Sequence, residues 1–176
     1  MRPRLNYLAA YPVHLVQEVY ALIDAGRLAE KLLQKYPSPH DVRTDSALYR
    51  YAMQIKQAHL RNAGPLNRLT YDGSLQTMSR ALGMNSGISR VQGARLKSSS
   101  EIRIATLFKD TPQEFLRMIV VHELAHLKER EHGKAFYRLC NHMEPDYHRL
   151  EFDLRAYLTY LDAGGEARWS GSSFSV

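Results

Sequence analysis

Three observations predict an α+β fold: helical spacing over the first sixty residues, short alternating runs from Pro65 to Phe108, and a long apolar helix beginning near residue 111. In the first stretch Val13, Val16, Tyr20 and Ile23 recur at helical spacing. Leu28, Leu32 and Leu33 follow after Gly26, and Tyr36-Pro37-Ser38-Pro39 ends the hairpin. Thr44 or Asp45 caps a third helix whose apolar face holds Leu48, Tyr51, Ala52 and Ile55, and Asn62-Ala63-Gly64-Pro65 terminates it. The second stretch is punctuated by Gly73, Gly83, Gly87 and Gly93, as strands and turns are. Within it Ile102 and Ile104 alternate with Arg103 and Ala105, the pattern of a half-buried strand leading through Lys109-Asp110 into the next helix. A last helix runs from about Tyr147 to Leu161, with Leu150, Leu154, Tyr157, Leu158 and Leu161 on its core stripe. From Gly164 onward Gly and Ser content rises, the composition of a flexible tail.

The helix near residue 111 carries the chemistry. Thr111 and Glu114 have the spacing of a capping box, Pro112 suits the first helical position, and Asp110 lies near the positive end of the helix dipole. Phe115, Met118, Ile119, Val121, Leu124 and Ala125 cover much of the circumference, so this is a core helix. Into it are set His122, Glu123 and His126, an H-E-x-x-H motif. Two His four residues apart project from one helix face and can hold one Zn²⁺, and a Glu between them reaches a metal-activated water as general base. The plainer alternative is a pair of core histidines, but it leaves Glu123 as a costly buried charge without a partner.

A catalytic zinc takes three protein ligands and keeps a fourth position for water. His132 is the best placed third ligand, with Glu144, Glu151, His142 and His148 as other candidates. Six residues beyond His126 is about 240° around a helix axis, so the helix must stop before His132 can reach the metal. The charged run Lys128-Glu129-Arg130-Glu131 suits an exposed turn, and Gly133 permits an unusual backbone conformation there. The spacing is that of the metzincin pattern, but Glu129 stands where metzincins have Gly. Tyr137, Tyr147 and Arg149 are candidate donors to a transition-state oxyanion.

The segment Ile119–Tyr147, with His122-Glu123-Leu124-Ala125-His126-Leu127, His132, Phe136 and Pro145-Asp146-Tyr147, resembles the YgjP-like metallopeptidase domain family. His132-Gly133-Lys134-Ala135-Phe136 is also similar to the segment around the third His of SprT-like proteases. The resemblance, spanning roughly residues 66 to 161, implies a minimal zincin: a small antiparallel sheet, the H-E-x-x-H helix, and a second helix delivering the third His. It implies His122, His126 and His132 as ligands and Glu123 as base. It departs from the family where Arg95-Leu96-Lys97-Ser98-Ser99 replaces an Arg-Trp-Gly-Ser-Cys-like stretch, which bears on the shape of the substrate cleft. The expected organisation is therefore an N-terminal helical subdomain over 1–62, a zincin-like catalytic domain over 63–163 and a tail over 164–176.

With 176 residues, 44% hydrophobic and 24% charged, the chain can bury a sizeable core. The apolar stretch after the basic residues Arg2 and Arg4 is interrupted by Asn6, Tyr7, Pro12 and His14, so no signal-peptide core follows, and no run approaches a membrane span. The single Cys140 rules out an internal disulfide and reads as a small buried hydrophobe. The expectation is a cytoplasmic protein without membrane partners. Residues 61–109 hold eight Lys or Arg against Asp72 and Glu101, so the whole net charge of +6 lies in that region. Such a field attracts phosphates, though it is also what a solvated basic sheet face presents.

Three readings share the metal. The first, expected, one is a zinc metallopeptidase acting on peptides or proteins, with the Ile102–Ala105 strand pairing with substrate backbone. The second is a metal-dependent nucleotide phosphoanhydride hydrolase whose activity depends on Arg90, Arg95 or Arg103, a role the family resemblance also implies. The third is a zinc-stabilised module binding nucleic acid or protein, in which Glu123 has no catalytic part.

Overall fold

The computed structural model describes residues 6–74 and 100–170. Three helices come first: α1 (Val13–Asp24), α2 (Leu28–Lys35) and α3 (Asp45–His59). Strands β1 (Arg68–Asp72) and β2 (Glu101–Ala105) follow, then a 3₁₀ turn over Thr106–Asp110 and helices α4 (Gln113–Ala125), α5 (Lys134–Met143) and α6 (Tyr147–Asp162). The mixture is α+β, as the sequence predicts.

Helix ends follow local chemistry. Thr44 caps α3 by accepting the Ala47 N–H at 3.1 Å. At the end of α1, Gly26 adopts φ +66° while its N–H reaches Ile23 O and the Arg27 N–H reaches Leu22 O, both at 2.9 Å. That is the paired closure a left-handed glycine permits, and Gly164 at φ +94° closes α6 the same way. The capping box expected at Thr111 does not form. Thr111 is buried and its hydroxyl donates to Phe108 O at 3.1 Å, inside the preceding turn, so α4 starts one residue after Pro112 without a side-chain cap. The loop after α2 braces this junction instead. His40 Nε2–H donates to Phe108 O at 2.6 Å, and Arg43 reaches Lys109 O and the Asp110 carboxylate.

The sheet corrects the sequence reading: β1 and β2 run parallel, with Leu69 opposite Ile102 and Tyr71 opposite Ile104. Alternation identifies which residues face inward but carries no strand direction. The end of β1 at Asp72 and the start of β2 at Glu101 lie far enough apart in sequence for the crossover that a parallel pair requires. Leu69, Ile102 and Ile104 point into the core, whereas Arg68 and Arg103 face out.

Helix α4 is buried on almost every side, against α3, α5 and α6. Phe115, Leu116, Val120, Val121 and Leu124 have no exposed surface. Around it the core runs continuously from Tyr7 and Leu8 through Leu48 and Phe108 to Tyr157. Asp153 of α6 receives Lys35 Nζ at 2.7 Å and the Tyr36 hydroxyl at 2.5 Å, which ties α2 to α6. In the tail expected to be flexible, Trp169 is buried and its Nε1–H donates to Tyr36 O at 2.8 Å. Among the described residues no helix is long and apolar enough to cross a membrane.

Candidate metal centre

Helix α4 supplies His122 and His126 one turn apart and then ends at Ala125, with His126 at its C-cap. The N–H groups of Leu127, Lys128 and Glu129 fold back onto Leu124 O and Ala125 O, and the charged run turns the chain towards α5. His132, just before α5, thus returns to the face that a continuous helix would have carried it past. The three Nε2 atoms stand 3.3 Å (His122–His126), 3.2 Å (His122–His132) and 3.0 Å (His126–His132) apart. Three imidazole nitrogens on a tetrahedral ion at about 2.0–2.1 Å lie about 3.3–3.4 Å apart, so the donor set fits a metal.

The rear nitrogens fix which atoms face inward. His126 Nδ1–H donates to Glu129 O at 2.9 Å, which leaves a lone pair on its Nε2. His122 Nδ1 lies 2.7 Å from the hydroxyl of Tyr147. That hydroxyl is hydrogen-bonded to Glu151, whose carboxylate accepts from Arg155 at 3.0 and 3.1 Å. Tyr147 gives its proton to Glu151 and accepts from His122, so the lone pair of His122 also points into the cluster. Phe136, with no exposed surface, packs its ring 4.6–4.9 Å from all three imidazoles and holds their planes apart. The cluster grades outward from buried His122 to exposed His132, leaving one side open.

Burial keeps all three His below the ordinary histidine value, and the neighbouring imidazoles add to this for His132 and for His122, which lies well below. Glu123 retains some solvent contact but is closely packed around. Among the described residues no hydrogen bond or ion pair reaches it, and desolvation pushes its pKa up to about 7. A carboxyl so placed exchanges a proton readily at neutral pH.

The other residues singled out by sequence are dispersed. Tyr147 stands behind His122 rather than facing a transition state. Tyr137 is half-buried beside His132 in an open groove of ≈ 740 Å³ that Lys134, Arg138 and Asn141 also line. Arg149 pairs with Asp146 at 3.0 Å on the surface, and Arg103 faces out from β2 towards Asp72 and Glu101, each at 3.4 Å. Arg90 and Arg95 lie outside the described residues. Of the alternative third ligands, Glu144 pairs with Arg117 at 2.6 Å, His142 packs edge-on against His59, and His148 accepts from Asn141 at 3.2 Å. The Tyr147–Glu151–Arg155 relay was missed by sequence reasoning. Its only signal is the i, i+4, i+8 spacing along α6.

The metal-free protein should lose stability on acidification. His40 is also held below its ordinary value by burial. For these four His the unfolded chain binds more protons, so stability falls as pH drops below about 6.5. Glu123 opposes them, since its raised pKa makes its contribution largest at low pH and loses it as pH rises from about 4.5 to 7. Four groups outweigh one. The melting temperature of metal-free protein should fall between pH 7 and 5, with bound metal released over the same range as protons compete for nitrogen. A melting temperature that is flat or rises over that interval contradicts this assignment.

Comparison with known proteins agrees with this geometry. The YgjP-like metallopeptidase domain matches residues 87–157. The chain is 53% identical over 160 residues to the UTP pyrophosphatase of Escherichia coli (strain K12), an alignment covering 91% of this chain and 96% of that protein. No solved structure matches the chain. The chain belongs to the YgjP-like metallopeptidase domain family. With its His cluster, it is a metal-dependent hydrolase.

Proposed function

We propose that this chain hydrolyses a phosphoanhydride bond of nucleoside triphosphates, using Zn²⁺ held by His122, His126 and His132 with Glu123 as general base. The observation that carries the reading is the 53% identity, over nearly the full length of both chains, to a protein named UTP pyrophosphatase. This ranks the nucleotide reading above the peptidase one expected from H-E-x-x-H alone. The groove beside His132 supports it. Lys134 and Arg138 stand there exposed, paired with no carboxylate among the described residues, on a helix whose first turn has neither acidic residue nor side-chain cap. A polyphosphate is the anion such a surface suits. These cations join Arg90, Arg95 and Arg103 as candidates for offsetting the charge of the polyphosphate.

When bound, the metal supplies Lewis acidity that acidifies a water and polarises a phosphoryl oxygen. The protein's own residues do the rest. Glu123 takes the proton of the attacking water as its oxygen bonds to the α-phosphorus. The bond from that phosphorus to the bridging oxygen breaks, and pyrophosphate leaves with the electron pair, its charge offset by Lys134 and Arg138. Glu123 then returns its proton to solvent or product, ready for another cycle. Tyr147, Glu151 and Arg155 hold His122 in the required tautomer. The balance is one nucleoside triphosphate plus water giving nucleoside monophosphate and pyrophosphate.

The zincin-like peptidase remains the second reading, favoured by the description of the family domain. The two are separated by incubating zinc-loaded protein with UTP and, separately, with an unfolded protein such as reduced casein. Pyrophosphate and UMP from the first and no fragments from the second are expected. Casein fragments without pyrophosphate would restore the peptidase reading.

A further inference from the structure

The groove beside His132 does not end at α5. On α5 the stripe Lys134, Tyr137, Arg138 and Asn141 has helical one-face spacing, and on α6 His148, Glu151 and Arg155 repeat it. A second depression of ≈ 360 Å³ shares Tyr137 and His148 with the first, so the two adjoin at these side chains in a channel-like run. Its far wall is the segment before α1, including Asn6 and Tyr11. That segment is fixed in place. Tyr7 and Leu8 are buried, Arg155 Nη1–H donates to Tyr7 O at 3.2 Å and bonds the Tyr11 hydroxyl, and the Tyr11 ring meets Phe152 edge-on at 5.0 Å.

The two ends of the channel differ chemically. Next to the metal ligands the wall is cationic, through Lys134 and Arg138. At the far end it presents two aromatic rings, a guanidinium held by Glu151, and Asn6, whose Oδ1 accepts the Leu8 N–H at 3.2 Å and whose amide NH₂ has no partner among the described residues. Burial keeps both phenols protonated, that of Tyr11 pushed up to about 12, so they remain neutral hydrogen-bonding groups. Flat aromatic walls with a few fixed polar groups suit a base and its ribose, and the cationic end suits phosphates.

We propose that the far end of this channel, between Tyr11, Tyr137 and Arg155, is the nucleoside subsite, and that the segment before α1 sets substrate preference. The proposal rests on the nucleotide-hydrolase reading above. It gives residues 6–11, outside the matched family domain, a part in choosing the substrate.

The test compares UTP with inorganic tripolyphosphate, which lacks a nucleoside, as substrates of the zinc-loaded full chain, with uridine as a competitive inhibitor. Wild type should prefer UTP. Tyr11→Ala should lower kcat/KM for UTP about tenfold, chiefly through KM, collapse the preference over tripolyphosphate and weaken inhibition by uridine to match. Tyr11→Phe, which keeps the ring, should restore most of the preference. Tyr11→Leu keeps bulk against Phe152 and replaces the Ala variant if that one melts early. Tyr20→Ala, on the exposed face of α1, should behave as wild type. If wild type turns over UTP and the Tyr11→Ala and Tyr11→Leu variants keep its preference and uridine inhibition, the subsite is wrong while the hydrolase reading stands. If wild type hydrolyses no nucleotide, the hydrolase reading fails and the subsite with it.

Discussion

Glu123→Gln should lower turnover of nucleoside triphosphate by about a hundred- to ten-thousandfold while leaving one metal per chain. The amide has the shape of the carboxylate, so packing in α4 is kept, but it cannot accept a proton from the attacking water. Stability should hold or rise. The native carboxyl has no partner among the described residues, and burial already disfavours its charge, so a neutral side chain removes a cost. Equal turnover in the variant and wild type, each holding metal, would mean that Glu123 is only part of the scaffold, as in a zinc-stabilised binding module.

His132→Ala should abolish metal retention at micromolar protein and take activity with it, by at least about a thousandfold, without unfolding the chain. Two ligands on one helix turn do not complete a three-nitrogen site, and affinity falls steeply when one is removed. Because His132 is exposed and precedes α5, its loss leaves α4 and α5 packed around Phe136. His122→Ala is the harsher change, since it also removes one of the two partners of the buried Tyr147 hydroxyl, leaving only Glu151. Elemental analysis and a melting curve on the same preparation separate the two effects. A His132→Ala protein that keeps stoichiometric metal would exclude His132 as a ligand.

Local rules carried much of the account. The spacing of His122 and His126 in an apolar stretch anticipated the His cluster because helix geometry converts spacing directly into a shared face. His132 was the third candidate by its spacing, and it joins the other two because the chain turns after Glu129 instead of continuing the helix. The Thr44 cap was legible from its neighbours, whereas Thr111 misled: its hydroxyl had a competing carbonyl in the preceding turn, and sequence does not rank such alternatives. Strand direction was illegible because inward-outward alternation is the same in parallel and antiparallel pairs. The relay behind His122 and the meeting of residues 6–11 with α6 depend on contacts across 25 to 148 positions, which no local pattern encodes. Charge density pointed towards phosphate without saying which cations are held by neighbours, as Arg103 is by Asp72 and Glu101.

The measurement that bears most directly on the central claim is pyrophosphate release from UTP, made beside metal content on the same samples of wild type, Glu123→Gln and His132→Ala. Zinc-loaded wild type should release pyrophosphate and UMP in equal amounts, Glu123→Gln should hold metal but release almost none, and His132→Ala should have neither metal nor activity. Pyrophosphate released at the wild-type rate by the metal-free His132→Ala protein would contradict the account, because catalysis would then not reside at the three histidines.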